Sequence, residues 1–411
     1  MSALHTEFVP ELAVPVPAEL SVRVCGSWKE FEQFRAPWNS LLERNQASSI
    51  FQTPEWLAAW WQAFGKGKQL FGLIFSDAKG DAVGIAPLYA ERQPVLGLKI
   101  TGFSITTLRM VGAGSGDSDA LDFITAPGFE QHCAYAFCNW LAQNVKCDVC
   151  SLETLPENSL IAKHLLQHAK ESGWRIDSTF TPNFVIDLPP SWPQYISTLE
   201  SSFRPLLTRY PRRLQSRFTV GITRCERMED LHEQLQVLFR LHQMRWTERG
   251  EPGAFASAER CEFYFQMSQA FLQRGWLEFW LLSLNGETVG AQFCFRYHNT
   301  VSLLQEGFDP KYTAEKIGYA LRAHVLEKSI RAGSHRYDFL GGADAYKARF
   351  GARQANYLNL TFAGPSLRGR IYLALQMQKR QFKAWLKNKL PAGMLAVLRR
   401  EAARETTSAV Q

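Results

Sequence analysis

Position 318 holds a glycine where a helix ordinarily avoids one. The stretch VSLLQEGFDPKYTAEKIGYALRAHVLEKSIRAGSHRYDFLGGADAYKARFG, Val301 to Gly351, reads as a strand, a loop, a helix, a second strand and a glycine-bounded loop ending in Tyr346-Lys347. The helix is expected to open after Pro310 with Thr313 as its N-cap, which puts Gly318 in its first turns. A residue without a Cβ there lets a ligand phosphate or a packed strand approach the backbone. Such a helix start offers N–H groups without intrahelical acceptors and the positive dipole end, which suits an anion. A second anion-facing group comes earlier. Arg204, Arg209, Arg212, Arg213 and Arg217 crowd RPLLTRYPRRLQSR, interrupted by Pro205 and Pro211. They form either a solvated face or a patch for nucleic acid, a diphosphate or a phosphorylated sugar.

Other groupings point to structure more than chemistry. Cys147 and Cys150 make a lone CxxC inside an apparent strand, with no second pair and no histidine at ligand spacing, so buried structural thiols are expected. Asp117, Asp119 and Asp122 lie in the glycine-rich MVGAGSGDSDALDFIT, but their spacing is not that of a calcium loop and turn-making is the expectation; no metal is expected.

These groups must be positioned by a folded scaffold. The 411 residues, 46% hydrophobic and 21% charged, exceed one ordinary core and suggest two domains of a folded protein. The expected divisions are a loose arm over 1–19, a first domain over 20–190, a second over 191–365 and a helical tail over 366–411. In the first, LSVRV is a strand, Trp28 to Asn45 a helix with Phe31, Phe34, Trp38, Leu41 and Leu42 on one face, and FQTPEWLAAWWQAFG a helix capped by Thr53 with Pro54 in its first turn. Trp56, Trp60, Trp61 and Phe64 on it read as core. Strands and helices then alternate to about residue 190, and the second half repeats the alternation, with Asn285-Gly286 marking a hairpin between GWLEFWLLSLN and ETVGAQFCFRYHN. The expected class is α/β with mixed sheets. The net charge of +7 is concentrated in the tail: residues 366–411 hold ten Lys or Arg and two Glu, leaving the body at −1.

The order of these pieces resembles the GNAT acyltransferase superfamily in tandem, over roughly Val22 to Phe362. The nearer likeness is to its two-domain CelD-like branch of polysaccharide biosynthesis, related to Fem-type peptidoglycan transferases. The motifs that carry it are FQTPEWLAAWW, GIAPLY, LHQMRW with the Gly-Pro-Gly-Phe-type loop after it, FDPKYTAEKIGYAL and YDFLGGADAYKARFG. By this resemblance Phe308, Lys316, Ile317, Gly318, Tyr319 and Ala320 bind the donor, acetyl-CoA or another acyl-CoA, with Glu315 standing where the family has Gln or Arg. Lys347, in a run similar to the Fem-type Phe-Lys-x-x-Phe-Gly, is expected to contact an anionic donor or acceptor, or else to be a surface lysine between packed Tyr346 and Phe350. Asp338 orients the acceptor amine or caps its loop. Glu306 is a base or a solvent-facing strand residue. Arg245 and Trp246, with Tyr346 and Arg349, border the acceptor, and His242 lies beside them as a groove residue or simply part of the helix face.

The implied reaction is acyl transfer from a thioester to an amine of a sugar or an envelope or exopolysaccharide precursor. It needs no covalent enzyme intermediate, so the lack of a Ser-His-Asp or Cys-His signature is no objection. The thioester carbonyl would meet backbone N–H groups where the strand splays near Gly307 and Phe308. Two alternatives stand beside it: a Fem-type aminoacyl-tRNA-dependent transferase, favoured by the arginines and YKARFG, and a non-catalytic partner in polysaccharide biosynthesis, favoured by Glu315. No run approaches membrane-spanning length and the first twenty residues lack a signal-peptide pattern, so the cytoplasm is the expected compartment. The basic amphipathic tail, with Lys379, Lys383 and Lys387 at four-residue spacing, either lies on an anionic membrane surface at the inner face or packs on the second domain.

Overall fold

The computed structural model describes residues 19–45, 47–95, 104–115, 117–144, 147–247, 253–342, 345–364 and 366–389. The expected arm up to residue 18 and residues 390–411 of the tail therefore fall outside the described residues, as does the side chain of Arg245.

The first half runs β1 (Ser21–Cys25), α1 (Trp28–Glu32), α2 (Arg35–Arg44), α3 (Pro54–Phe64), β2 (Gln69–Ser76), β3 (Ala82–Pro94), β4 (Ser104–Met110), β5 (Ile124–Thr125), α4 (Glu130–Asn144), β6 (Val149–Pro156), α5 (Leu160–Glu171) and β7 (Arg175–Asp187). The second runs α6 (Trp192–Thr198), α7 (Arg204–Arg217), β8 (Val220–Arg224), α8 (Met228–Thr247), α9 (Ala258–Gln273), β9 (Leu277–Leu284), β10 (Glu287–Tyr297), β11 (Thr300–Phe308), α10 (Ile317–Arg331), β12 (Arg336–Gly341) and β13 (Arg353–Ala363), followed by α11 (Leu367–Lys389). Local chemistry sets several boundaries. The Thr53 hydroxyl accepts from the Trp56 N–H with Pro54 in the first turn, starting α3 as expected. Asn285 and Gly286 both take positive φ, 51° and 87°, to close the β9–β10 hairpin. The single helix expected over 28–45 is instead two, because Phe34 leaves helical geometry at φ −92°, ψ 11°. Pro211 does not interrupt α7: it lies inside a continuous 14-residue helix.

Among the described residues thirteen strands join one sheet, ordered β1-β2-β3-β4-β6-β13-β7-β12-β11-β10-β9-β8, with β5 beside β3. The class is mixed α/β: β4–β6 and β11–β12 are parallel, and the remaining pairs are antiparallel. Each half repeats an antiparallel run closed by one parallel strand. The final strands are exchanged, since β13 lies against β6 and β7 lies against β12. Neither half's sheet is complete without the other's last strand. Helices α3 and α9 pack between the halves, where Trp56, wholly buried, meets Phe263 edge-on at 5.0 Å and stacks on Phe271 at 6.0 Å, and its indole N–H donates to the Ser118 hydroxyl. The aromatic cluster is core, as its spacing implied. Among the described residues no helix is long and apolar enough to cross a membrane.

Candidate active site

Strands β11 and β12 are parallel only through Thr300–Arg336, Val301–Tyr337 and Ser302–Asp338. Beyond Ser302, β11 pairs with β10 alone, and an extra residue enters it where the register steps from Phe293–Gln305 to Cys294–Leu303. The sheet therefore opens about five residues earlier than the Gly307–Phe308 splay expected from sequence, because the bulge turns β11 away from β12. Gly307 has a different task. A Cβ there would sit 2.6 Å from the backbone nitrogen of His242, so its bareness lets β11 lie against α8.

The open splay leads to a cavity of about 190 Å³ lined by Glu306, Phe308, Thr313, Lys316, Ile317, Gly318, Tyr319, Arg322 and Tyr346. Seven of the candidate site residues named from sequence thus line one cavity. The helix there starts later than expected. Residues 310–315 form a 3₁₀ turn capped by Asp309, Lys316 takes a left-handed φ of 57°, and α10 begins at Ile317 without a side-chain cap from Lys316. Gly318 is consequently its second residue, where the N–H groups have no intrahelical acceptor. Ala320, the last of the expected donor-binding run, is buried in the helix's core face. Glu315 does not confront this opening as a lone charge, since Arg217 of α7 pairs with it at 2.9 Å. Arg209, Arg212 and Arg213 on the same helix are exposed.

Glu306 faces α10 and not solvent. Its carboxylate is ion-paired with the buried Arg322, whose guanidinium also lies over the rings of Phe339, Tyr346 and Phe350 at 5.4, 5.4 and 4.8 Å. Tyr319 stacks on Phe350 with an interplanar angle of 13°. Sequence reading passed over Arg322, yet its signal was available: an arginine one turn past Gly318, set among Ile317, Ala320, Leu321, Val325 and Leu326 of the apolar face of α10.

Lys347 is buried. Its ammonium donates to the carbonyl of Gly341 at 3.1 Å and lies 3.4–3.5 Å from those of Phe339, Leu340 and Gly342. It gathers the end of β12, where Leu340 has a φ of 59°, uncommon for a residue with a branched side chain. The same bend is held by Asp338, which accepts the Leu340 N–H at 2.8 Å, and by Asp119 from the first half, which accepts the Gly341 N–H at 2.8 Å. The surface lysine foreseen as one reading is thus excluded by burial, and Arg349, by contrast, is exposed over the Phe203 ring. Trp246 donates its indole N–H to His242 Nε2 at 2.8 Å, tying together two residues that the resemblance places beside the acceptor.

The Ser302–Asp338 pair at the apex of the splay also lines a second cavity, of about 550 Å³, between the two halves. Arg336, Arg353, His298, Asn183 and Tyr357 contribute to its wall, and Asn183 is buried with an Oδ1 that has no hydrogen-bond partner. Strand alternation sends Tyr337 and Phe339 into the α10-side core and Asp338 to this opposite face. Burial pushes the Asp338 carboxyl up to about 7, with the nearby Asp119 raising it further, while Asp119 is itself raised to about 6, chiefly by burial. The three aspartates of the glycine-rich loop go separate ways. Asp117 pairs with Arg260 at 2.9 Å and accepts from the Tyr264 hydroxyl, Asp119 holds Gly341, and Asp122 takes the Phe123 N–H. Among the described residues no three His, Cys, Asp or Glu are grouped to hold a metal. Burial raises the Cys147 thiol to about 12 and Cys150 well above its usual range, so neither is an activated thiolate.

A carboxyl whose folded pKa is raised binds its proton more tightly in the folded state. The stability this represents is complete below pH about 4 and is lost as pH rises toward 7. Asp338→Asn removes that ionisation. Urea unfolding should then show the variant gaining on the parent by up to about 1.4 kcal/mol per pH unit between pH 4 and 7, and the difference should level off above that. Parallel pH profiles of the two proteins would refute the assignment.

Residues 201–348 match the model of an acetyltransferase (GNAT) domain. No curated protein matches the chain. Among solved structures, FemX is similar with a TM-score of 0.57 at 10% identity, over 81% of this chain and 96% of that one. A tandem GNAT protein from the clavulanic acid biosynthesis pathway aligns at 12% identity over 85% of this chain and 100% of its own, TM-score 0.44. L-PGS from Bacillus licheniformis aligns at 10% over 80% and 96%, TM-score 0.44. The stretch bearing β11, α10 and Lys347 thus carries the match to a GNAT acetyltransferase domain, within a mixed α/β fold that 81% of this chain shares with FemX.

Proposed function

We propose that this chain is an N-acyltransferase that takes its acyl group from acetyl-CoA or another acyl-CoA and passes it to an amine in the cavity between the halves. The supporting observation is the splay itself: β11 and β12 part beyond Ser302–Asp338, with the uncapped start of α10 at the cavity on one face and Asp338 lining the cavity on the other. The start of α10 faces the donor's diphosphate, the 190 Å³ cavity receives its thiol arm, and the edge of β11 turned away from β10 supplies backbone N–H groups to the thioester carbonyl. Asp338, at a pKa of about 7, accepts the proton that the attacking amine must lose. The nitrogen lone pair forms the new C–N bond, the C–S bond breaks, and the thiol leaves with a proton. Glu306 serves as the counter-charge that fixes Arg322, and Lys347 holds the β12 bend that sets Asp338. The acceptor class is a sugar amine of an envelope or exopolysaccharide precursor, the chemistry a polar cavity lined by arginines and amides would accommodate.

A second reading has its own observation. The exposed arginines of α7 lie on the helix that pairs with Glu315 beside the donor opening, a placement suited to a nucleic-acid backbone, so an aminoacyl-tRNA donor is the alternative. Calorimetric titration separates the two. Micromolar heat with acetyl-CoA at ~0.15 M salt supports the first reading. No heat with acetyl-CoA, together with tRNA binding that falls steeply with salt, replaces it by the second.

A further inference from the structure

We propose that α11 is a two-sided helix that seats the protein on an anionic phospholipid surface. One side is built into the fold. Leu373 is buried with Val95, Ile105, Val149 and Ala363, and Met377 packs on the same group. Gly369 lies so close to the Asp148 carbonyl that any side chain would collide with it. Arg380 forms a two-pronged ion pair with Asp177 at 2.6 and 2.5 Å. At about 100° per residue, positions 369, 373, 377 and 380 fall together on one side of the helix.

The opposite side should be polar if α11 only packed on the body. Instead Leu367, Ile371, Leu375, Phe382 and Trp385 fall within an arc of about 80° centred away from the packed side, and all are exposed, Leu367 at 72%, Phe382 at 59% and Trp385 at 55%. Phe382 and Trp385 stack on each other at 5.9 Å. Five large apolar side chains in a stripe on a helix already anchored by its other side make a patch that soluble surfaces rarely carry. Exposed Arg368, Lys379 and Lys383 run along one edge of this stripe. The residues from 366 to 411 hold ten Lys or Arg against two Glu in a chain whose remainder is near neutral, so the basic charge accompanies the apolar stripe. An apolar stripe bordered by lysines matches the interfacial zone of a bilayer with acidic headgroups: rings and aliphatic chains enter the acyl boundary and ammonium groups meet phosphates. A protein partner would need an acidic rim around an apolar groove, and a second copy would set the same basic edges against each other, which charge opposes. Fixing by Leu373 and Arg380 means that the helix is ordered before it meets lipid, so little ordering entropy opposes binding.

Flotation of the full chain with vesicles of phosphatidylcholine and phosphatidylglycerol at roughly 70:30 tests this. Binding should be at least about tenfold stronger than to pure phosphatidylcholine, and should fall severalfold between ~0.05 and ~0.5 M NaCl. Phe382→Ser with Trp385→Ser should lower it at least about tenfold with the thermal midpoint unchanged, because neither ring is buried. Absence of flotation with the acidic vesicles overturns the proposal, and so does flotation that the double substitution leaves unaltered. A dimer that the double substitution dissolves, without vesicle binding, would assign the stripe to a second copy and overturn it as well. Acetyl-CoA titration is independent of each of these outcomes, so the two proposals fail separately.

Discussion

Gly318→Trp is expected to leave the chain folded and to weaken acetyl-CoA binding at least ~100-fold, about 3 kcal/mol or more. The backbone at 318 is helical, without positive φ, so a side chain brings no conformational strain. A Cβ there would meet the Phe308 ring at 3.5 and 3.6 Å, ordinary contact, which makes Gly318→Ala a mild change in binding and stability. An indole continuing from that Cβ can enter the 190 Å³ cavity that Gly318 lines, where it would occupy the place proposed for the donor and cover the first N–H groups of α10. Calorimetry on the parent, the alanine and the tryptophan proteins gives the series. Equal affinity in all three would place the donor elsewhere. Loss of binding in the alanine protein as well would mean that the opening tolerates no added carbon and that the helix start is tighter than its contacts indicate.

Arg322→Leu is expected to destabilise the fold by about 3–5 kcal/mol, read as a lower urea midpoint at unchanged slope. The guanidinium is buried, pairs with Glu306 and spreads over three aromatic rings, so its removal strands a mostly buried carboxylate and leaves those rings without their cation. Leucine replaces the apolar stem but none of the charge. The double variant Glu306→Gln with Arg322→Leu should recover more than half of the loss, since most of the penalty is the orphaned charge and not the missing contact. If the double variant is as unstable as the single one, the pair is held chiefly by packing on Phe339, Tyr346 and Phe350. Glu306→Gln alone should change stability in the same direction by less. Were Glu306 the proton acceptor, its loss would abolish turnover while leaving donor binding intact, an outcome that would shift that role from Asp338.

The helix start at Gly318 shows how sequence and structure divide the information. Periodicity identified a helix and a glycine near its beginning, and the two halves of alternating strands and helices were legible because amphipathic period and turn residues are local properties of the chain. The late start at Ile317 was not legible: Asp309 and a left-handed Lys316 shape the preceding turn, and nothing local distinguishes that from a helix begun at Thr313. The two exchanged strands could not be read either. β7 and β13 have ordinary strand sequences, and which neighbour each joins depends on pairings such as Arg336–Asp187 and Leu360–Leu152, far apart along the chain.

By itself the sequence determined the element types, the aromatic core around Trp56, the hairpin at Asn285-Gly286 and the basic character of the tail, each written in residues close together along the chain. Only the tertiary structure decided that Glu306 is spoken for by Arg322, that Lys347 clamps four carbonyls beneath a bent strand, that Asp338 looks into a cavity between the halves, and that α11 leaves an apolar stripe uncovered. Charge pairing, burial and the direction of a side chain depend on what the rest of the fold brings alongside, and for Glu306, Asp338 and Lys347 those neighbours come from other strands, another helix or the other half of the chain.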